Sequence, residues 1–395
     1  TLKPILFAQA MAEGQFFPRE LLTDLPVRLG GFRPENYDRS FRGVVHADEA
    51  LASSLNVPAV RVLEQFGVER FHETLIGLGM GLKDDPWFYG LSMILGGAES
   101  SLWQLTAIYR TLARVLRDGE TRHVASNQVG LRLAKEVPDH YESAPVGRKV
   151  SLEAPSLWLM TEALEKVERP ATHDFVDIEE LPRRFAWKTG TSFGFRDGWA
   201  IGFDRDYVVG VWVGNANGLG RQNLTGRRAA APILFDVLQM LPEAPWFETP
   251  LGLKFVKVCA KSGRLAGEFC ESTEQMNTQA ERSVRGRCDF CKHVMLCNQT
   301  NKRVHLGCEE PSGASRHSQF ILGPEESFWY TRHRPSYREP PAWRSDCAPS
   351  SEDTGVKVVS PLNNAVILLA KSADAGVVLE AAVSRPDAQL YWYLN

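Results

Sequence analysis

The chain has 395 residues, 44% hydrophobic and 24% charged, which is ordinary globular composition with room for two or three domains. Its 45 basic and 48 acidic residues are mixed along the sequence to a formal charge of −3, leaving no polybasic surface for nucleic acid or anionic lipid. No run of about 18 apolar residues occurs, and Thr1-Leu2-Lys3-Pro4 has neither the basic start nor the apolar stretch of a signal peptide. The expectation is an interior fragment whose targeting segment lies outside the sequence.

The first segment alternates helical patterns with short β-rich runs, so an α/β (α+β) domain is expected. Pro58 suits a helix start, Val60, Leu63 and Phe66 follow at helical spacing, and Gly67 suits a stop. Phe71, Leu75 and Leu78 continue as a second short helix toward Gly77, Gly79 and Gly81. Leu105, Ile108, Tyr109, Leu112 and Leu116 form the stripe of a helix capped by Ser100 or Ser101 and ended by Gly119. Another helix is predicted from Ser156 to about Val167.

Between Trp187 and Gly214 the pattern turns to strands. Trp199 to Phe203 and Tyr207 to Val213 flank Asp204-Arg205-Asp206 as a hairpin would, beside a strand containing Lys188. Arg227 to Leu241 reads as a helix closing on that sheet. Residues 243 to about 350 are rich in Pro, Gly, Cys and charge and are expected to be irregular and stapled, with Phe328-Trp329-Tyr330 as a strand or a peptide-contacting surface. Val356 to Val359, Ala365 to Ala370, Val377 to Val383 and Leu390 to Leu394 suggest the start of a small β-sandwich.

All seven cysteines, Cys259, Cys270, Cys288, Cys291, Cys297, Cys308 and Cys347, follow a cysteine-free segment. Such a cluster is read as disulfide staples in an oxidising compartment or as a metal site in a reducing one. Cys288-Asp289-Phe290-Cys291 with His293, Cys297, His305 and Cys308 nearby would suit a zinc knuckle, though a second close cysteine pair is lacking.

Chemistry concentrates at two places. Lys188-Thr189-Gly190-Thr191-Ser192 lies on a strand: Lys188 and the hydroxyls of Thr189 and Thr191 suit a substrate carboxylate, Gly190 allows close backbone approach, and a backbone N–H near Thr191 can donate to an oxyanion. About 130 residues earlier, Ser54-Leu55-Asn56 precedes the Pro58 helix, either as a helix cap or as a polar pair projecting into a cleft. Their order fits the Ser-x-x-Lys, Ser-x-Asn, Lys-Thr-Gly set of serine acyl-transferases. No serine in the chain is followed three positions later by Lys. Thr1-Leu2-Lys3-Pro4 reads as the end of Ser-Thr-Leu-Lys-Pro, with the nucleophilic serine expected directly before Thr1.

On these residues, together with Ser53 to Val60, Leu95-Gly96-Gly97-Ala98-Glu99, Asp197 to Phe203 and Val211 to Asn215, the chain resembles the class A penicillin-binding proteins over residues 1 to 240. The tail with Cys259, Ser262-Gly263 and Cys270 looks like their 1C type. The resemblance implies a serine β-lactamase/transpeptidase-like domain over 1–245, a cysteine-rich, disulfide-stapled region over 246–350 and the start of a C-terminal β-sandwich over 351–395. It implies a membrane anchor and a glycosyltransferase domain ahead of the chain, on the periplasmic side of the bacterial inner membrane. The implied reaction is peptidoglycan cross-linking: the serine attacks the penultimate D-Ala carbonyl of a stem peptide, expels the terminal D-Ala, and an amine of a neighbouring stem resolves the acyl-enzyme.

In that reading the catalytic residues are Lys3 as base, Ser54 as proton relay, Asn56 holding the peptide and Lys188, with Thr189, Gly190 and Thr191 binding substrate. Partners are D-Ala-D-Ala stem peptides, β-lactams and, through the C-terminal domain, another envelope protein; no cofactor and no metal are implied. The envelope location favours disulfides over zinc, with Cys259–Cys270 as the first pair. The alternatives are a D,D-carboxypeptidase or β-lactamase, in which water replaces the acceptor amine, and a non-catalytic β-lactam-binding scaffold or sensor.

Overall fold

The protein is described from a computed structural model that covers residues 1–124, 149–169, 183–279, 286–347, 356–361 and 377–383, with residues 365, 390 and 392. It folds as two compact units, each assembled from separated stretches of chain. The first comprises Thr1–Arg19, Ala47–Val256 and Met276–Arg285; the second comprises Glu20–His46, Lys257–Gln275 and Gly286–Asn395.

The first unit is a mixed helix and antiparallel-sheet domain. Its helices are α1 (Lys3–Ala12), α2 (Ala47–Ala52), α3 (Asn56–Phe66), α4 (Val68–Gly77), α5 (Pro86–Tyr89), α6 (Leu102–Asp118), α7 (Ala154–Glu165) and α8 (Ala231–Met240). The predicted helices around Val60, Phe71, Leu105 and Leu157 are all present. Helix α6 opens on a reciprocal cap, Ser101 Oγ accepting from the Gln104 amide while the Gln104 side chain accepts from the Ser101 amide, and stops at Gly119. Helices α1 and α7 are apolar nearly all round, which is what makes them central rather than surface helices, and they pack on each other.

Strands Ala186–Thr191, Asp197–Phe203 and Val208–Gly214 form a three-stranded antiparallel sheet in sequence order, the hairpin falling where Asp204-Arg205-Asp206 predicted it. Trp187, Ala200 and Val209 of the sheet bury against Leu234, Phe235 and Leu238 of α8. A buried ion pair holds the hairpin: Asp204 Oδ2 accepts from Arg183 Nε at 2.9 Å, and Arg183 Nη1 donates to the Leu238 and Leu241 carbonyls.

The second unit takes in residues 20–46, whose strands Leu21–Asp24 and Gly43–His46 pair with each other. Strand Cys291–Cys297 pairs with Arg303–Val304 on one side and Ala314–Phe320 on the other, so the region expected to be irregular holds a three-stranded sheet. Phe328-Trp329-Tyr330 lies not in a strand but in helix α9 (Pro324–His333). Pro324 in the first turn, Glu325 and Glu326 at the positive end and Arg332 and His333 at the negative end are strong local helix signals, and they outweigh the aromatic strand preference. Val356–Ser360 pairs with Glu380–Val383; the expected strands over 365–370 and 390–394 lie outside the described residues apart from 365, 390 and 392.

Cys308 and Cys347 form a disulfide, whereas Cys259, Cys270, Cys288, Cys291 and Cys297 are free. The expected Cys259–Cys270 bridge is therefore not made: the Cys259 sulfur lies 3.7 Å from that of Cys291, in a group of four thiols.

Candidate active site

The site is built on the buried first turn of α1. Lys3 is only 6% exposed, and its Nζ donates to the Ser54 carbonyl at 2.7 Å, the Leu55 carbonyl at 3.0 Å and Asn56 Oδ1 at 2.7 Å; Ser54 Oγ lies 3.5 Å away. The chain presents these acceptors by a sharp turn between α2 and α3, with Ser54 in the left-handed region at φ 56°. Leu55, not Ser54, is the N-cap of α3 and makes no side-chain cap. Of the two readings of Ser54-Leu55-Asn56, the cap is thus not used, and Asn56 turns its amide oxygen to Lys3.

Lys188 lies on the strand Ala186–Thr191 with none of its surface exposed, its Nζ donating to the Thr189 carbonyl at 3.3 Å. Burial in a low-dielectric site disfavours the ammonium and pulls Lys188 from 10.5 to about 7. Lys3 is held well below its ordinary value by burial and then by the positive charge of Lys188. Its three acceptors favour the ammonium, but they do not outweigh those two costs.

Strand alternation puts Lys188 and Gly190 on one face, with Thr189 and Thr191 on the other. A Cβ added at Gly190 would sit 3.0 Å from Thr1 Cγ2 and 3.2 Å from the Thr1 nitrogen, so a side chain there would press on Thr1 and force it to give by a few tenths of an ångström. The Thr191 hydroxyl, expected beside Lys188 at a substrate carboxylate, accepts from the Gly226 amide at 3.1 Å. Lys3, Ser54, Asn56, Lys188 and Gly190 therefore converge around Thr1, while the Thr191 hydroxyl is turned to Gly226.

One further residue was not legible as functional. Tyr109, in the apolar stripe of α6, donates from its hydroxyl to the Thr1 carbonyl at 2.7 Å and so pins the residue around which the site is built. The available signal was generic: a tyrosine in a buried stripe needs a partner for its hydroxyl. Among the described residues, the groups that could hold a metal ion are in the second unit, not here.

Buried Lys3 on α1, bound to the Ser54-Leu55-Asn56 turn, and buried Lys188 on the edge strand of the three-stranded sheet are thus the two cations of the candidate site. Residues 1–239 match the penicillin binding protein transpeptidase domain family, and the chain belongs to that family. It is 29% identical over 419 residues to penicillin-binding protein 1C of Escherichia coli (strain K12), an alignment covering 100% of this chain and 50% of that protein. It is 31% identical over 283 residues to penicillin-binding protein 1A of Aquifex aeolicus (strain VF5), covering 68% of this chain and 37% of that one. A crystal structure of penicillin-binding protein 1A from Haemophilus influenzae shares the fold at a TM-score of 0.53 and 16% identity, over 73% of this chain and 48% of that one. The chain spans half or less of the length of these curated relatives. The resemblance drawn from the motifs is borne out at the level of family and fold.

Proposed function

We propose that the first unit is the acyl-transfer site of a serine D,D-transpeptidase that cross-links peptidoglycan stem peptides and is acylated by β-lactams. The observation that carries this reading is the Lys3 amine bound to the Ser54-Leu55-Asn56 turn, with buried Lys188 close enough to depress it. In this reading the nucleophile is a serine attached to the Thr1 nitrogen, at the point where the strand bearing Gly190 comes closest. Lys3, with a weakened hold on its proton, takes the serine proton as it attacks the penultimate D-Ala carbonyl. Ser54 Oγ, 3.5 Å from Lys3 Nζ, relays that proton to the departing D-Ala amine, and Asn56 orients both the lysine and the peptide backbone.

Protonated Lys188 attracts the terminal carboxylate of the donor peptide, with Thr189, Gly190 and Thr191 lining its backbone; the Thr191 amide donates to the oxyanion. The acyl-enzyme forms with loss of D-Ala and is resolved by an amine of a second stem peptide, which regenerates the serine. The complete protein carries in addition a membrane anchor and a glycosyltransferase domain, works on the periplasmic face of the inner membrane and meets an envelope partner through its C-terminal residues.

The test is denaturing-gel labelling by a fluorescent penicillin on a longer protein that includes the residues before Thr1, with mass mapping of the labelled peptide. Label on a serine next to Thr1, lost in Lys3→Ala and Ser54→Ala, is the expected result. Full labelling of either variant would remove that residue from the mechanism. Folded protein that takes no label would leave a non-catalytic scaffold.

A further inference from the structure

Four free cysteines of the second unit, Cys259, Cys270, Cys288 and Cys291, bring their sulfurs within 4.8 Å of one another. They come from three separated places: the end of strand Lys254–Cys259, the turn at Cys270, and a Cys288-Asp289-Phe290-Cys291 run that leads into strand Cys291–Cys297. The sequence offered only one close cysteine pair; the fold supplies the other two ligands by folding Cys259 and Cys270 against it. We propose that these four thiolates form a structural zinc site that holds the second unit together.

The dimensions support the assignment. Zinc binds thiolate at about 2.3 Å in tetrahedral sites, which sets sulfur–sulfur edges of roughly 3.8 Å. The Cys259 and Cys291 sulfurs are 3.7 Å apart. The surroundings are those of thiolates rather than of disulfide sulfurs. Ser262, with none of its surface exposed, donates from Oγ to the Cys288 sulfur at 3.2 Å, and the Gly267 amide donates to the Cys270 sulfur at 3.3 Å. Such donors orient metal-bound sulfur and spread its negative charge.

The backbone is shaped to the cluster as well. The Cys259 carbonyl accepts from the Gly263 amide at 2.8 Å, closing a tight turn, and the Cys288 amide donates to the Leu265 carbonyl at 2.7 Å. Gly267 lies so close to the Cys288 carbonyl that an added Cβ would stand 2.8 Å from that oxygen. Around the sulfurs sit Leu21, Val44, Phe320 and Leu322, a small apolar core for a unit gathered from three stretches of chain. On binding, each ligating thiol gives its proton to solvent and no electron is transferred, so affinity falls as pH falls.

The test uses the whole chain, purified without chelator and dialysed against Zn2+. The expected result is stoichiometric zinc by elemental analysis and, after exchange for Co2+, the visible and near-ultraviolet absorption of a tetrahedral cobalt–thiolate centre. Cys291→Ser should lose most of the zinc, and Cys347→Ser should keep it. Where Cys291→Ser fails to fold, the wild-type chain still decides: chelation should release the zinc and expose the four thiols to alkylation, mapped by mass spectrometry. Wild-type chain that takes up no zinc, or a non-reducing peptide map joining any two of these four cysteines, would overturn the site. So would iron in place of zinc, or zinc lost in Cys347→Ser and kept in Cys291→Ser.

Discussion

Replacing Lys188 by Met separates what this residue costs the fold from what it does for the reaction. Met keeps a long flexible chain in the same volume but carries no charge. The fall of Lys188 from 10.5 to about 7 comes from the burial of its ammonium. At roughly 1.4 kcal/mol for each tenfold change in proton affinity, that is on the order of 5 kcal/mol. Below about pH 7 both folded and unfolded wild type carry the charge, so the penalty is present in full. Between there and the unfolded value the unfolded chain holds the extra proton, and wild-type stability climbs with pH while that of Lys188→Met does not. Loss of Lys188 also relieves Lys3, whose depression it deepens, in the same direction.

The variant should therefore be more stable than wild type by several kcal/mol in urea at about pH 6, with most of that advantage gone by about pH 10. In a protein extended before Thr1 the same substitution should cut β-lactam acylation by orders of magnitude, because the carboxylate no longer meets the Lys188 ammonium. An advantage equal at both pH values would be a packing effect and would refute the charged-burial argument. No advantage at about pH 6 would refute it too.

In a protein extended before Thr1, Gly190→Ala should fold but acylate about a hundredfold more slowly, since its Cβ would push against Thr1; stopped-flow acylation reads this. Tyr109→Phe removes the donor to the Thr1 carbonyl and should cost about 1–2 kcal/mol in urea unfolding, with a further drop in acylation rate. Arg183→Ala leaves the buried Asp204 carboxylate without its cation, with the Asp206 and Tyr207 amides still on Oδ1, and should cost about 3 kcal/mol by the same unfolding measurement. The acylation second-order rate should fall above about pH 7, where Lys188 loses the charge that attracts the carboxylate, and fall again at low pH, where Lys3 is held protonated.

Local pattern alone determined much of the first unit. The stripes at Val60 and Leu105, the stop at Gly119 and the hairpin around Asp204-Arg205-Asp206 depend on neighbours three, four or two residues away, and those spacings are written in the chain. Ser54-Leu55-Asn56, Lys188 and Lys3 were legible as candidates because they follow the order of a known motif set, and the structure brings Lys3 onto that turn. Phe328-Trp329-Tyr330 lies in a helix although its aromatics suit a strand, because Pro324 and the charged residues at both ends set the local preference.

Only the tertiary structure decided the rest. Residues 20–46 contain nothing that says they pack with segments more than two hundred positions later, yet Leu21 donates its amide to the Ser262 carbonyl and buried Glu20 accepts from Arg264. The role of Tyr109 likewise depends on Thr1, 108 positions away. The grouping of Cys259 and Cys270 with Cys288 and Cys291 depends on how three stretches of chain meet, because sulfur partners are chosen by distances in space, which sequence separation does not encode.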